Sequence, residues 1–242
     1  MIIDIHSHIL PGLDDGARDM DETVGMLEIA VREGIEAIVT TPHYEVGVER
    51  ERLAKYGKVY EDLQNYITTH EIPLKLYPGN EIYYSESIPE MLQNEVVRTL
   101  NGTRYVLVEF PMHAGYQTIE RALNNLLYAG YWPVIAHMER YSVLRDLQKI
   151  RDLVRNGAYI QVNASAIVGK EGWGVKRFCR QLMKADLVHV VATDAHGISK
   201  RRPTIRKCLD YIEKKHGRTY RKQISEDNPL RILKGEKIGG KN

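Results

Sequence analysis

Ile2-Ile3-Asp4-Ile5-His6-Ser7-His8 opens the chain as an apolar, strand-like run that ends in two imidazoles. The pattern recurs. Ala37-Ile38-Val39-Thr40-Thr41-Pro42 runs into His43, Leu74-Lys75-Leu76-Tyr77 comes just ahead of Glu81, and Tyr105-Val106-Leu107-Val108 runs into Glu109. Pro133-Val134-Ile135-Ala136 leads to His137, and Val188-His189-Val190-Val191-Ala192-Thr193 leads to Asp194 and His196. Five of the nine histidines and three carboxylates therefore hold the same position, the end of a strand. In a barrel of parallel strands those ends open on one face, where they can converge on metal ions. A doubly wound open sheet is the structural competitor, but it would spread the same residues along a line.

The rest of the chain fits a barrel. Strand-like runs end near residues 6, 43, 81, 109, 137, 163 and 194, at intervals close to the roughly 30 residues of a βαβ unit. Helical patterns fill most of the gaps. Leu27, Ile29, Ala30 and Val31 lie in the first, which Asp21 and Glu22 open with favourable N-terminal charge. Residues 51–70 predict a long charged helix, and 117–129, 142–156 and 175–184 predict three more, with Gly157 as a stop. A last helix over 203–216 would begin at Pro203. Seven strand–helix units follow, making residues 1–234 a single α/β barrel domain and 235–242, with three glycines, a frayed tail.

At 242 residues, the chain has the length of one such barrel, about 200–250 residues. A net charge of +2 argues for neither a nucleic-acid nor a membrane partner. No apolar stretch approaches the ~20 residues needed to span a bilayer. The chain enters its first strand with no basic and apolar leader before it, and Cys179 and Cys208 form no disulfide framework. The expectation is a cytoplasmic protein that neither inserts in a membrane nor binds nucleic acid.

Local chemistry sharpens the site. Alternate residues of an extended segment face the same side, so His6 and His8 can reach one ion, and Asp194 and His196 repeat that geometry on the last strand. Glu81 and Glu109 suit bridging, since a carboxylate can hold two cations with its two oxygens. The Asp14-Asp15-Gly16 turn offers one more carboxylate without deciding which. Nitrogen with carboxylate oxygen and no thiolate fits Mn, Fe or Zn better than Mg or Ca. Such ions, close together, bridge a hydroxide and clamp an in-line displacement, which points to phosphate-ester hydrolysis. Arg140 and Arg201, in loops after His137 and His196, add guanidinium forks that match phosphate oxygens. Of the remaining histidines, His113 follows the fourth strand in a loop, while His70, His189 and His216 lie in ordinary helical or strand contexts.

At His6-Ser7-His8, Asp14-Asp15-Gly16, Thr41-Pro42-His43, Pro78-Gly79-Asn80-Glu81, Glu109-Phe110-Pro111, His137-Met138-Glu139-Arg140 and Thr193-Asp194-Ala195-His196, the chain resembles the PHP (polymerase and histidinol phosphatase) superfamily. Within it, the chain is most similar to the metal-dependent protein-tyrosine phosphatases of bacterial capsule and exopolysaccharide systems. The resemblance implies a distorted seven-stranded, TIM-barrel-like (β/α)7 barrel with a three-metal site, commonly manganese, at the C-terminal ends of the strands. It also implies a bacterial tyrosine autokinase as substrate and a role in polysaccharide export. Carried over by position, His6, His8, Asp15, His43, Glu81, Glu109, His137, Asp194 and His196 are the metal ligands, Asp15 being the favoured aspartate of its turn. Arg140 and Arg201 match the phosphate-binding arginines, with Arg202 one residue out of register from the second. Met138 stands where the family usually has proline.

The competing functions are a small-molecule phosphatase such as histidinol-phosphate phosphatase, and a binding module with a structural metal. Structural sites are usually closed and saturated, which nine ligands on an open face are not. A nuclease is weaker still, for want of an aromatic and basic groove. A cysteine-dependent phosphatase needs an arginine six residues past its cysteine, where this chain has Ala185 and Lys214. Residues 200–222 carry ten lysines and arginines against Asp210 and Glu213. A strip including Lys207, Lys214 and Lys215 would, beside the catalytic mouth, attract a multiply phosphorylated tail.

Overall fold

The computed structural model describes residues 1–47 and 50–239. Its elements run β1 (Ile2–Ser7), α1 (Met20–Glu33), β2 (Ile35–Thr40), β3 (His43–Tyr44), α2 (Arg50–Thr69), β4 (Lys75–Pro78), β5 (Glu81–Tyr83), α3 (Ile88–Gln93) and β6 (Tyr105–Glu109). They continue with α4 (Tyr116–Tyr128), β7 (Trp132–Ile135), α5 (Leu147–Arg155), β8 (Tyr159–Asn163), α6 (Ala164–Val168), α7 (Trp173–Lys184), β9 (Val190–Ala192), α8 (Arg206–His216), α9 (Arg218–Lys222) and α10 (Asn228–Lys234). Every strand pairing is parallel.

The strands form a sheet β1-β2-β4 and a sheet β3-β5-β6-β7-β8-β9. Two of the expected strands are thus interrupted, each for a local reason. Pro42, between β2 and β3, has no N–H to give to a ladder, and its carbonyl accepts from the Asn80 amide at 2.9 Å. Between β4 and β5, Gly79 lies so close to β2 that a Cβ would meet Val39 Cγ1 at 2.9 Å. The sheet curls until its first and last strands meet. Ser7 bridges Ala195, His8 N–H donates to the Ala195 carbonyl at 2.8 Å, and Asp194 N–H donates to the His6 carbonyl at 2.9 Å.

Alternation within the strands accounts for the curl. Ile3 and Ile5, Ala37 and Val39, Val134 and Ala136, and Val190 and Ala192 gather in one buried cluster, which only a curved sheet allows. The intervening residues, Ile38, Val106, Ile135, Ile160 and Val191, pack outward against the helices. Burial on both faces is why these strands read as continuous apolar runs.

Asp4 is the exception among them. Fully buried, it accepts from Thr193 N–H at 2.9 Å and from the Thr193 hydroxyl, tying β1 to the end of β9. Burial pushes its carboxyl up to about 6, against those same hydrogen bonds. Asp4→Ala would take this partner from three donors, the Thr193 N–H and hydroxyl and the His6 N–H at 3.3 Å, at roughly 1–3 kcal/mol each. Denaturant unfolding should therefore show a loss of several kcal/mol with an unchanged m-value; a loss below 1 kcal/mol would remove Asp4 from the closure.

The expected helices form, with adjusted ends. Residues 142–144 make a separate 3₁₀ turn, because the Asp146 carboxylate caps Gln148 N–H at 2.8 Å and starts α5 afresh. Pro203 lies before α8 rather than in its first turn, since Glu33 accepts from the N–H groups of Ile205 and Arg206 at 2.9 and 2.8 Å and fixes the start there. The expected frayed tail is docked as far as Ile238. Its N–H donates to the Tyr105 hydroxyl at 2.9 Å, and that hydroxyl donates to the Glu236 carbonyl at 2.9 Å. Residues 240–242 of the tail lie outside the described residues.

Candidate metal centre

The strand ends, with the turn that carries Asp15, bring all nine expected ligands to one site. His6, His8 and Glu81 are fully buried, Asp194 and His137 nearly so, and Asp15 lies at the rim with 65% of its side chain exposed. Glu81 is the hub. Its Oε2 lies 3.1 Å from His6 Nε2, from His8 Nε2 and from His43 Nδ1, and its Oε1 lies 2.8 Å from His137 Nε2. Neither oxygen has a hydrogen bond of acceptable geometry. Glu109 sits between His43, at 3.1 Å, and His137, at 3.5 Å.

Three overlapping groups of ligand atoms result: His6, His8, Glu81 and Asp194; His8, Asp15, His43 and His196; and His43, Glu81 and Glu109. Within each, all the atoms lie within 4.8 Å of one another. Donor atoms about 3 Å apart are what metal–ligand bonds of about 2.0–2.2 Å produce. Charge points the same way. Burial alone would keep His8, His43 and His137 neutral, yet the carboxylates around them reverse the sign and raise them to about 9, 11 and 10. A field that favours protons on two buried imidazoles and a third at the rim is one that favours cations. The residues present therefore fit a multinuclear metal centre.

Backbone strain accompanies the ligands. His137 and Asp194 take left-handed φ values of 32° and 52°, and Arg201 takes 45°. Non-glycine residues pay for that conformation and tend to concentrate at functional sites. Gly16 answers a different need: a Cβ there would strike the His8 carbonyl at 2.1 Å, so only glycine lets the Asp14-Asp15 turn fold over His8.

The family model for capsular polysaccharide synthesis proteins, CpsB/CapC, matches residues 2–234. The chain belongs to this family. Among its relatives, the tyrosine-protein phosphatase CpsB of Streptococcus pneumoniae is 35% identical over 98% of this chain and 100% of its own length. The tyrosine-protein phosphatase YwqE of Bacillus subtilis strain 168 is 34% identical, over 98% of this chain and 93% of its own. A crystal structure from work on YwqE and CpsB, described as unique metal-dependent tyrosine phosphatases, matches with a TM-score of 0.91 at 34% identity, covering 98% of this chain and 96% of that one. An organophosphorus hydrolase from Deinococcus radiodurans matches at a TM-score of 0.60 and 14% identity, a likeness of fold alone.

In this CpsB/CapC chain, the residues that sequence reasoning missed are those that orient the ligands. Asp14 is one. It accepts from His8 Nδ1 at 2.6 Å and from the His43 and Gly16 N–H groups at 2.9 Å each, which leaves His8 Nε2 free to face the centre. Burial opposes its charge, but His8 and the two backbone donors hold its carboxyl down at about 2. Asp15, the neighbour that the resemblance favours, faces His43 Nε2 at 3.3 Å and His196 Nε2 at 3.4 Å instead.

β8 supplies the other two. Gln161 Oε1 lies 3.0 Å from His6 Nδ1 and accepts His137 N–H at 2.7 Å. Its amide nitrogen donates to Asn163 at 2.8 Å, and Asn163 donates to Asp194 Oδ2 at 2.8 Å. The signal was present as two alternate amides at the end of an otherwise apolar strand, but a neutral amide is a weak donor for Mn, Fe or Zn beside imidazoles and carboxylates. Partners that orient metal ligands typically account for about 10- to 100-fold in metal affinity or activity. Gln161→Leu, close in volume, should therefore weaken metal binding by that factor; unchanged affinity in a metal titration would remove its orienting role.

Both expected arginines converge on Asp194. Arg140 Nη2 lies 3.0 Å from Oδ2 and Arg201 Nη2 lies 2.5 Å from Oδ1, whereas Arg202 makes no such contact. The basic strip divides in two. Lys200, Arg201 and Arg202 line a cavity beside the centre. Lys214 and Lys215 fall at the far end of α8, roughly 15 Å along its axis. Beyond them Arg221 pairs with Glu213 and Glu226, and Glu226 also holds the Met1 ammonium, at the opposite end of β1 from the ligands. Lys214 and Lys215 therefore do not rim the mouth, and the expectation of one continuous steering strip is withdrawn. His113 is exposed, and His189, expected inside a strand, lies half-buried just before β9, where its Nδ1 accepts from Ile160 N–H at 3.1 Å.

Proposed function

We propose that this chain is a metal-dependent protein-tyrosine phosphatase. His6, His8, Asp15, His43, Glu81, Glu109, His137, Asp194 and His196 would hold a three-ion centre, and Arg140 and Arg201 would grip the phosphate. The observation that carries the reading is Glu81, buried, ringed by four imidazole nitrogens at 2.8–3.1 Å and free of hydrogen bonds. The phosphatase names of the CpsB and YwqE relatives support it. In this reading β2 with β3, and β4 with β5, each count as one broken stave, making seven staves around the site.

When bound, divalent cations, manganese foremost and iron or zinc as the other candidates, would supply charge for the phosphoryl oxygens and acidify a water. The protein's own groups do the rest. Asp14 and Gln161 fix which imidazole nitrogens face the centre. Arg140 and Arg201 flank Asp194 with 27% and 39% of their side chains exposed, so their forks can turn to an arriving phosphate. A tyrosyl phenolate, with a pKa near ~10, leaves with little protonic help. The thiols take no part: Cys179 and Cys208 are buried, and burial pushes both well above the ordinary thiol range. The open rim at Asp15 and His43 suits a tyrosine presented on a polypeptide. A bacterial tyrosine autokinase, in the control of capsule or exopolysaccharide synthesis, is the substrate this reading favours. No helix of the described residues is long and apolar enough to cross a membrane, consistent with action in the cytoplasm.

The test is turnover of a phosphotyrosine peptide against histidinol phosphate, with manganese, zinc or chelator. Preference for the peptide, abolished by chelator, is expected; preference for histidinol phosphate would contradict the protein substrate. Cys179→Ser and Cys208→Ser should stay active. Inactivity of either one with its metal content intact would point to a thiol mechanism.

A further inference from the structure

The cavity beside the centre, about 440 Å³, opens between the loops that follow β7, β8 and β9. Its inner wall is Asp194 with Arg140 and Arg201; its outer wall carries Lys170, Lys200 and Arg202. The inner arginines are occupied. Asp194 takes both, and Glu171 lies 3.7 Å from Arg140 Nε. The outer three are exposed and, among the described residues, none has an ion-pair partner. Five cations thus face two carboxylates across one cavity. A phosphate held at the metals by the arginines leaves the outer charge unanswered.

We propose that this outer wall is a second anion subsite, which takes an anionic side chain, a carboxylate or a second phosphate, on the same polypeptide as the scissile phosphotyrosine. The proposal rests on the phosphatase reading and adds a substrate class to it. The cavity shares Asp194 with the metal centre, and Arg140 and Arg201 stand between that residue and the outer wall, so an anion on the outer wall and a phosphoryl group at the metals would be neighbours on one chain. Lys170 lies in the turn between α6 and α7 and Lys200 in the loop after β9, so they reach the cavity from two sides rather than lying along one solvated helix face. Trp173, 73% exposed three residues past Lys170, stands at the same loop as a built-in reporter.

The experiment compares kcat/KM, on metal-loaded enzyme, for phosphotyrosine peptides whose flank is neutral, glutamate-bearing or phosphoserine-bearing, with the anion placed before or after the tyrosine. The wild type and a Lys170→Gln, Lys200→Gln double variant are assayed, with p-nitrophenyl phosphate as control. Wild type should favour an anionic flank by roughly tenfold, the worth of about one charge-assisted contact. That preference should shrink with salt, because the groups are exposed. The double variant should lose it while keeping its rates on the neutral peptide and on p-nitrophenyl phosphate. Phosphoserine above glutamate would identify a second phosphate as the ligand, and equality would identify a carboxylate.

Equal rates of wild type on all flanks, or an equal loss on neutral and anionic peptides in the variant, would overturn the subsite. Failure of the phosphatase reading looks different: loaded enzyme would turn over none of these esters. In that event, Trp173 fluorescence on titration with non-hydrolysable phosphonate peptides still decides the question. Tighter binding of anionic flanks, lost in the double variant, sustains the subsite; equal binding overturns it.

Discussion

Glu81→Gln is expected to strip the metal centre and to lower phosphotyrosine turnover on the order of 10³-fold. The substitution keeps the shape of the side chain and removes the anion. Four imidazole nitrogens face that one group at 2.8–3.1 Å, and an amide can neither neutralise nor bridge the cations they would share. Metals contribute several kcal/mol of transition-state charge stabilisation, and about 1.4 kcal/mol is one decade in rate. Glu109→Gln should follow the same course less severely, since Glu109 faces two imidazoles rather than four. Both variants should lose metal in proportion to rate. A Glu81→Gln protein with full metal content and near-normal turnover would displace Glu81 from the hub.

Arg140→Ala separates binding of metal from handling of phosphate. Its guanidinium touches Asp194 Oδ2, but that oxygen also accepts from Asn163, so Asp194 keeps its orientation when the arginine is gone. Metal content should stay at the wild-type level. Turnover should drop roughly 10²- to 10³-fold, the usual cost of removing one donor aimed at developing charge. Arg201→Ala should behave alike. Equal metal loss in Arg140→Ala and Glu109→Gln would refute this division of labour.

The convergence of the nine candidate ligands was legible in the sequence because imidazoles and carboxylates at the ends of apolar runs carry a signal of their own. Parallel strands buried on both faces tolerate few polar residues, so each one at a strand end stands out. The orienting groups lacked that contrast. Gln161 and Asn163 are neutral amides, weak donors for Mn, Fe or Zn, and Asp4 looked like one more position within a strand. Asp14 and Asp15 divide their roles by which way each carboxylate turns, and only the fold of the turn over His8 sets that. The breaks at Pro42 and Gly79 could be suspected from residue type, but not the resumption of pairing beyond them. The basic strip misled for a geometric reason: eleven residues of helix carry its later charges away from the catalytic face. The docked tail was missed because three glycines masked Ile238, the buried apolar residue among those that anchor it.

Metal stoichiometry, measured together with turnover on one preparation, tests the central claim most directly. The chain would be purified, exhaustively chelated, then titrated with manganese while bound metal and phosphotyrosine hydrolysis are read in parallel. Chelated protein should be inactive and folded, and activity should return as occupancy approaches three ions per chain, one for each ligand group. Undiminished hydrolysis by protein shown to hold no metal would contradict it.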